Sequence, residues 1–134
     1  MSEIFFKLWP TGSAISAPEI VRKSFNVKFP GAINIEWFQT EDSYEAVFYD
    51  ADIEKISRFS QNGSWIETRT NLDITVLNTN VKISAERYGE IMNAILIELH
   101  DEKKYEVITR DKQLNRFLLI LSHLGEIINN QPII

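Results

Sequence analysis

The sequence predicts an α+β fold built as a tandem duplication of a helix followed by a four-stranded antiparallel meander. Apolar residues recur at helical spacing in two segments, and each segment is followed by runs that alternate apolar and polar residues. Matching residues also recur about 60 positions apart in the two halves. The matching positions are Tyr44-Glu45 with Tyr105-Glu106, Gly63 with Gly125, and Gly31 with Gly89.

The length of 134 residues suits a single domain that can bury its own core. We expect one domain over 1–134, made of repeat unit 1 at about 13–70 and repeat unit 2 at about 71–130. A short N-terminal arm over 1–12 precedes the first unit, since Pro10 and Gly12 interrupt its apolar start.

The first helix is predicted over 17–29. Ser16 and Glu19 fit a capping box, and Pro18 suits the first helical turn because no backbone hydrogen bond is lost there. The apolar stripe consists of Val21, Phe25 and Phe29. Pro30-Gly31 then ends the helix.

Four strands are predicted to follow, over 33–38, 44–49, 53–59 and 65–69. Their short polar connections favour antiparallel hairpins, because parallel pairing needs a long crossover. Asn62-Gly63 is the dipeptide typical of a type I′ turn.

The second half repeats this order. A helix is predicted over 75–88 and ends at Gly89. Strands are predicted over 91–99, 104–110, 115–121 and 126–129.

Four motifs of the first half together resemble the β-lactamase-inhibitor-like, PepSY-like domain family, which has the BLIP-like fold. They are Phe29-Pro-Gly-Ala32, Ile35-Glu-Trp37, Tyr44-Glu-Ala-Val-Phe48 and Phe59-x-x-Asn-Gly63-x-Trp65. The resemblance covers about 17–70 well and 75–129 loosely. It implies a curved antiparallel sheet with the helices on one face, and a binding or inhibitor-like role. The family is described mainly from exported proteins of Bacteroidetes, and its biochemical function is largely unassigned.

Composition excludes several classes of function. With 14 Lys+Arg against 19 Asp+Glu the formal charge is −5, whereas nucleic-acid binders usually carry a basic surface. No apolar run approaches the ~20 residues of a membrane span. The chain has 0 Cys, so disulfides and thiolate chemistry are excluded.

No motif for catalysis, a metal or a cofactor stands out. His100 and His123 fall in predicted turns and lack a second ligand at metal-binding spacing. Asp50-Ala-Asp52-Ile-Glu54 begins like a calcium loop, but Lys55 and Gln61 occupy the positions that need Gly and Glu. We therefore predict a non-enzymatic protein with no catalytic residues, no metal and no cofactor.

The start of the chain bears on location. The segment 1–9 contains Glu3 and lacks the basic beginning of a signal peptide. This predicts a cytoplasmic protein, or a periplasmic or exported one if a longer precursor was trimmed.

Strand parity separates two faces in the first half. The predicted core face carries Ile35, Trp37, Tyr44, Ala46, Phe48, Phe59 and Trp65. The opposite face, here the open face, carries Phe38, Val47, Tyr49, Ile56, Arg58 and Ile66. A sheet face that meets water should be polar, so this mixed apolar face is typical of a protein contact. We predict Phe38, Val47, Tyr49, Ile56 and Arg58 as binding residues, unless the arm or the second half covers them.

Two predicted strands of the second half carry apolar residues at both odd and even positions, so both of their faces are apolar. They are Ile91–Leu99 and Phe117–Leu121. Such strands are normally buried on both faces, and one helix covers only one face. Either the arm packs there or another chain does, which makes a homodimer a candidate.

The predicted function is binding of a protein or peptide through the sheet face opposite the helices. The alternative is a small-molecule binder or an enzyme that uses a pocket on the curved sheet.

Overall fold

A computed structural model describes Leu8, Pro10 and residues 12–133. The predicted N-terminal arm over 1–12 therefore lies mostly outside the described residues. Of its described members, Leu8 is buried. Gly12 lies so close to the Gln39 carbonyl that a β-carbon at this position would overlap with that oxygen.

The described residues form nine strands, two α-helices and one 3₁₀ helix. In chain order they are β1 (Ser13–Ala14), α1 (Glu19–Lys28), β2 (Ile33–Gln39), β3 (Ser43–Asp50), β4 (Ile53–Ser60), β5 (Trp65–Leu72), the 3₁₀ helix (Ile74–Val76), α2 (Thr79–Glu86), β6 (Glu90–Glu98), β7 (Lys103–Arg110), β8 (Arg116–Ser122) and β9 (Ile127–Ile133).

The strands belong to a single nine-stranded antiparallel sheet whose order follows the chain. Strands account for 52% and helices for 17% of the structure, so the sheet dominates. The predicted tandem duplication of a helix plus a four-stranded meander is wrong. Instead, β1 precedes α1 and pairs with β2, and all nine strands share one sheet.

The recurring glycines have a local explanation that needs no duplicated unit. Gly63 and Gly125 have φ angles of +88° and +87° in hairpin turns. Glycine is favoured wherever a hairpin needs a left-handed residue, so any sheet of successive hairpins repeats it. Their constant spacing reflects similar strand lengths.

The chain divides into two compact units. The N-terminal unit spans Leu8–Thr70, and the C-terminal unit includes the chain from Asn71 onward. The N-terminal unit has a largely aromatic core in which α1 packs on one sheet face. Its buried members are Ala17, Val21, Phe25, Phe29, Ala46, Phe48 and Phe59, with Trp37, Tyr44 and Trp65 partly buried around them.

One residue of the predicted core face is misplaced. Ile35 is 38% exposed and does not join the aromatic cluster. The pairing of β2 with β3 shifts register between Ile33 and Glu36, and Asn34 has a φ of 54°. This β-bulge breaks the alternation on which the prediction of Ile35 depended.

The C-terminal unit has an aliphatic core beneath α2. Its buried members are Leu77, Val81, Ala85, Ile91, Ala94, Tyr105, Val107, Leu119 and Leu121. Here branched aliphatic side chains fill the volume that rings fill in the N-terminal unit.

Helix α1 begins at Glu19, two residues later than predicted. Its N-cap is Pro18, whose ψ of 153° is extended, and no side chain caps the helix. The predicted capping box at Ser16 is therefore wrong. The backbone N–H groups of Val21 and Arg22 both donate to the Pro18 carbonyl, at 3.1 and 3.0 Å.

The second predicted helix, over 75–88, is split in two. Asp73 Oδ1 accepts from the Thr75 N–H at 2.9 Å and caps the 3₁₀ helix. Asn78 Oδ1 accepts from the Asn80 and Val81 N–H groups at 2.8 and 3.4 Å and caps α2. Short polar side chains favour caps over helix interiors, so Asn78 begins a new helix.

The predicted type I′ turn at Asn62-Gly63 is also wrong. Only Gly63 has a positive φ in this loop. The Ser60 N–H donates to the Ser64 carbonyl at 2.8 Å and the Gly63 N–H to the Ser60 carbonyl at 3.0 Å. The pattern is that of a three-residue hairpin loop with a left-handed glycine.

A type I′ backbone occurs instead between β3 and β4, where Ala51 and Asp52 have φ angles of 51° and 65°. Replacing this pair by Asn-Gly should stabilise the chain by about 1 kcal/mol, because a left-handed residue with a β-carbon is disfavoured. Urea unfolding measures the change. The control pair is Glu41→Asn with Asp42→Gly in the β2–β3 turn, where neither residue has a positive φ. Equal stabilisation at both turns would contradict the explanation.

Candidate functional site

The open face lies on the opposite side of the N-terminal unit's strands from α1. Strand register arranges its residues in three rows that run across the sheet. The first row holds Phe38, Glu45, Arg58 and Glu67, the second Glu36, Val47, Ile56 and Arg69, and the third Ile33, Tyr49 and Glu54.

The five predicted binding residues share this face but differ in exposure. Phe38 and Val47 are half-buried. Tyr49 is 39% exposed, whereas Ile56 is only 4% exposed. The Arg58 side chain is 35% exposed. Tyr49 is therefore the most accessible apolar member of the predicted set.

Ile33 adds an exposed apolar side chain that sequence reasoning missed. It lies opposite Tyr49 on the neighbouring strand and is 54% exposed. Simple alternation assigns Ile33 to the same face as Trp37, which packs against the core. The bulge at Asn34 moves it to the open face.

An ion-pair network crosses the first two rows. Arg58 Nη2 lies 3.6 Å from Glu67 Oε1, and Arg69 Nε donates to Glu67 Oε2 at 3.3 Å. Glu45 is 6% exposed and lies directly opposite Arg58. The buried Arg58 Nε has no hydrogen-bond partner among the described groups. Carboxylates on both sides of Arg58 compensate for the cost of holding its guanidinium partly away from water.

The register shift between Arg58 and Phe59 explains why Glu67 and Arg69 were missed. Arg58 pairs with Glu67 and Phe59 pairs with Trp65, so Ile66 is an extra residue in β5 between these two partners. Cross-strand neighbours beyond a bulge cannot be counted from sequence alone, since the bulge reverses parity.

The other apolar strands offer little surface to a partner. Ile95 and Ile97 of β6 are 4% and 7% exposed in the single chain, whereas Leu118 and Ile120 of β8 are half-buried. The predicted burial is confirmed for Ile95 and Ile97 of β6 and is only partial at Leu118 and Ile120 of β8. The burial of Ile95 and Ile97 means that β6 does not require a second copy of the chain to cover it.

Two concavities lie in the C-terminal unit. One, of about 540 Å³, includes both His100 and His123. Tyr105 Oη lies 3.0 Å from His123 Nδ1, and the two rings stack at 6.0 Å. Burial, assisted by the charge of Glu98, raises the pKa of Tyr105 above its ordinary value. The phenol therefore stays protonated at neutral pH and can donate to the imidazole.

The second concavity, of about 890 Å³, lies at the C-terminal end of α2 beside the β7–β8 hairpin. Within the part of the chain that the structure describes, no group of three His, Asp or Glu residues is arranged to hold a metal ion. The described helices include none that is long and apolar enough to cross a membrane.

No protein-family model and no curated protein matches the chain. Solved structures do. A Bacteroides eggerthii protein predicted to be periplasmic has a TM-score of 0.79 at 17% identity, covering 89% of this chain and 91% of its own. A DUF2874 family protein from Bacteroides uniformis has a TM-score of 0.78 at 18% identity, covering 87% and 90%. A BLIP-like protein from Bacteroides fragilis has a TM-score of 0.76 at 19% identity, covering 89% and 88%.

At these identities the similarity establishes the fold alone. The descriptions of the similar structures name BLIP-like and DUF2874 proteins, and none names a reaction. The PepSY-like part of the predicted resemblance finds no counterpart among them. The chain therefore has the BLIP-like fold.

Proposed function

We propose that the chain is a non-enzymatic binding module that contacts a protein or peptide through the open face. The proposed site comprises the predicted residues Phe38, Val47, Tyr49, Ile56 and Arg58, together with Ile33. The exposed Ile33–Tyr49 pair is the observation that carries the proposal. Ile33 is 54% and Tyr49 39% exposed, and exposed apolar area at a sheet face commonly marks a contact site.

The residues contribute in different ways. Ile33 and Tyr49 insert into the partner, because they are the exposed apolar members of the face. Phe38 and Val47 extend the apolar area with their accessible parts. Ile56 is buried beneath this surface, and Arg58 orders the charges around it through Glu67. Tyr and Arg are both favoured where binding energy concentrates.

The charges on the open face define the partner's chemistry. The face carries four glutamates against two arginines, and both arginines contact Glu67. The four are Glu36, Glu45, Glu54 and Glu67. A complementary partner presents an apolar side chain surrounded by Lys or Arg. Such complementarity mainly increases the association rate and the specificity.

We also place the protein outside the cytoplasm, in the periplasm or exported. The B. eggerthii protein of similar fold is predicted to be periplasmic, which supports this location. The comparisons offer no support for the cytoplasmic location expected from the first residues of the chain. A fractionation of the native host with an antibody to the chain tests the location.

The variant Ile33→Ser with Tyr49→Ser should weaken partner binding at least about tenfold while leaving stability within about 1 kcal/mol. Both side chains are exposed, Ile33 by 54% and Tyr49 by 39%, and neither belongs to the aromatic core, so the folded chain loses little core packing. The matched control is Val27→Ser on α1, which removes an apolar side chain that is 84% exposed and lies outside the open face. Pull-down from the native periplasm compares the three proteins.

The result that supports the proposal is a captured protein that the wild type and Val27→Ser retain and the double variant loses. Capture of the same proteins by all three would contradict it. Sedimentation of the purified chain distinguishes a second copy as partner, since a dimer would dissociate in the double variant. A large loss of stability in the double variant would mean that the pair is part of the core.

Charge reversal at Arg58 is a less informative test. Glutamate at this position would stand between Glu45 and Glu67 in one row of the sheet. Like charges directly opposite each other destabilise a sheet, so Arg58→Glu would lower stability and binding together.

A further inference from the structure

The concavity beside the β7–β8 hairpin has an apolar floor and one apolar lip. Tyr88 and Phe117 form the floor, with their rings in an edge-on arrangement and their centroids 5.9 Å apart. Leu114 projects from the hairpin turn at the rim and is 69% exposed. The volume of about 890 Å³ falls within the range of small-molecule sites.

Leu114 occupies a backbone position that normally belongs to glycine. The Asp111 N–H donates to the Asn115 carbonyl at 2.9 Å, and the Leu114 N–H donates to the Asp111 carbonyl at 3.0 Å. The turns at Gly63 and Gly125 make the same two hydrogen bonds. At the equivalent position of this third turn, Leu114 has a φ of 68°.

This leucine costs stability without joining the core. A left-handed conformation is disfavoured for a residue with a β-carbon, and the exposed side chain recovers little of that cost by burial. Residues that break a local rule in this way occur most often at functional sites. Its disfavoured backbone and its exposure therefore make Leu114 a candidate for contact with a ligand in this groove.

Some charged side chains around the groove make ion pairs or hydrogen bonds within the protein, and others do not. Arg110 Nη2 lies 3.7 Å from Glu90 Oε1. Asp111 accepts hydrogen bonds from the Gln113 and Asn115 N–H groups at 3.0 and 2.9 Å, and from Asn115 Nδ2 at 3.2 Å. These three side chains are thus occupied within the protein.

Arg87 and Lys112 are the available cations of the groove lining. Neither makes an ion pair or a side-chain hydrogen bond to any of the described residues, and both are exposed. Glu86 is the one lining acid without such a contact among those residues. The available charge is therefore net positive in a chain whose formal charge is −5.

We propose that this groove binds a small organic anion whose body is aromatic or branched aliphatic, such as an aryl-alkyl carboxylate. The apolar body lies on Tyr88 and Phe117 beneath Leu114, and the carboxylate meets Arg87 and Lys112. This site is independent of the open face, because it lies in the other unit and takes a different class of ligand.

Three small probes test the ligand class by ¹⁵N–¹H correlation spectra of the whole chain. 4-Phenylbutyrate carries both the ring and the anion, 4-phenylbutylamine carries the ring with a cation, and butyrate lacks the ring. We expect saturable shifts with 4-phenylbutyrate at Tyr88, Leu114 and Phe117, with the millimolar affinity usual for a fragment-sized ligand. The other two probes should bind at least about fivefold more weakly, since each lacks one of the two contacts.

Two variants test the residues. Leu114→Gly should weaken 4-phenylbutyrate binding about fivefold and raise the Tm by a few degrees, because it removes the lip and relieves the backbone. The matched control, Leu124→Ala, removes from the β8–β9 turn a leucine that is 70% exposed and whose own φ is not positive. Arg87→Glu with Lys112→Glu should weaken binding about tenfold, and Lys82→Glu on α2 should not.

Several results would overturn the inference. No saturable shift with 4-phenylbutyrate, or equal shifts with 4-phenylbutylamine, would exclude the ligand class. Shifts spread over the surface, or equal losses in the Leu124 and Lys82 controls, would mean nonspecific adhesion. A Leu114→Gly protein that gains stability and keeps full affinity would show that Leu114 plays no part in binding.

Discussion

Phe25→Ala is expected to reduce the free energy of unfolding by about 3–5 kcal/mol, the usual cost of removing a buried phenyl ring. Phe25 is 1% exposed and stands at the centre of the N-terminal core. Its ring centroid lies 5.4 Å from that of Phe29, 5.3 Å from Trp37, 4.8 Å from Phe48 and 6.1 Å from Phe59. Truncation would remove four aromatic contacts and leave a cavity that α1 alone cannot close.

Tryptophan fluorescence during urea unfolding is a suitable measurement, because the sequence has no tryptophan after Trp65. The signal therefore reports on the N-terminal unit, which contains Trp37 and Trp65. Val27→Ala is the control on the same helix, since Val27 is 84% exposed and should change stability by less than about 0.5 kcal/mol. A loss below about 1 kcal/mol for Phe25→Ala would mean that the aromatic cluster is loosely packed.

The elements with strong local periodicity were predictable. Strand β4 was expected over 53–59 and spans Ile53–Ser60, and β7 was expected over 104–110 and spans Lys103–Arg110. Alternation of side chains is a property of the strand itself, so it can be recognised without knowing the partner strand. The same holds for the helical spacing of Val21 and Phe25 in α1.

Features that depend on a neighbouring strand were not predictable. The bulge at Asn34 exposes Ile33 on the open face, and its position follows from pairing with β3. The turn at Ala51-Asp52 adopts a backbone that its sequence disfavours, because the pairing of Asp50 with Ile53 closes it. In both places tertiary pairing overrides a local preference.

The set of residues on the open face was partly predictable, because side chains alternate between the two faces along each strand. Parity correctly grouped Val47 with Ile56 and Arg58, whose cross-strand register the structure shows directly. Exposure was not predictable, since Ile56 at 4% and Tyr49 at 39% lie on the same face of adjacent strands. Burial depends on what lies above a face, and alternation says nothing about that.

Gly125→Ala is expected to reduce the free energy of unfolding by about 2–4 kcal/mol, the second large effect that we predict. Gly125 has a φ of +87°, and a β-carbon there would stand 2.5 Å from the Asn80 carbonyl oxygen. Helix α2 supplies that oxygen, so the β8–β9 hairpin would have to move away from the helix. The backbone conformation accounts for part of the loss, and this displacement accounts for the rest.

Gly63→Ala is the matched comparison and should cost less, about 1–2 kcal/mol. Its φ of +88° is the same within a degree, but the nearest atom to a β-carbon is the Ser24 hydroxyl at 2.8 Å, which a side-chain rotation can move. The Ile20 carbonyl oxygen stands further off, at 3.0 Å. Far-ultraviolet circular dichroism during urea unfolding suits this pair, because it reports on both units.

Asparagine at each position separates the two causes, since it tolerates a left-handed backbone better than alanine but carries the same β-carbon. At position 63 the backbone dominates, so Gly63→Asn should recover most of the loss seen with Gly63→Ala. At position 125 the contact with Asn80 dominates, so Gly125→Asn should remain nearly as destabilising as Gly125→Ala. If asparagine restored most of the lost stability at both positions, the β8–β9 hairpin would be able to move away from α2 at little cost. The close contact with α2 would then not determine the position of the hairpin.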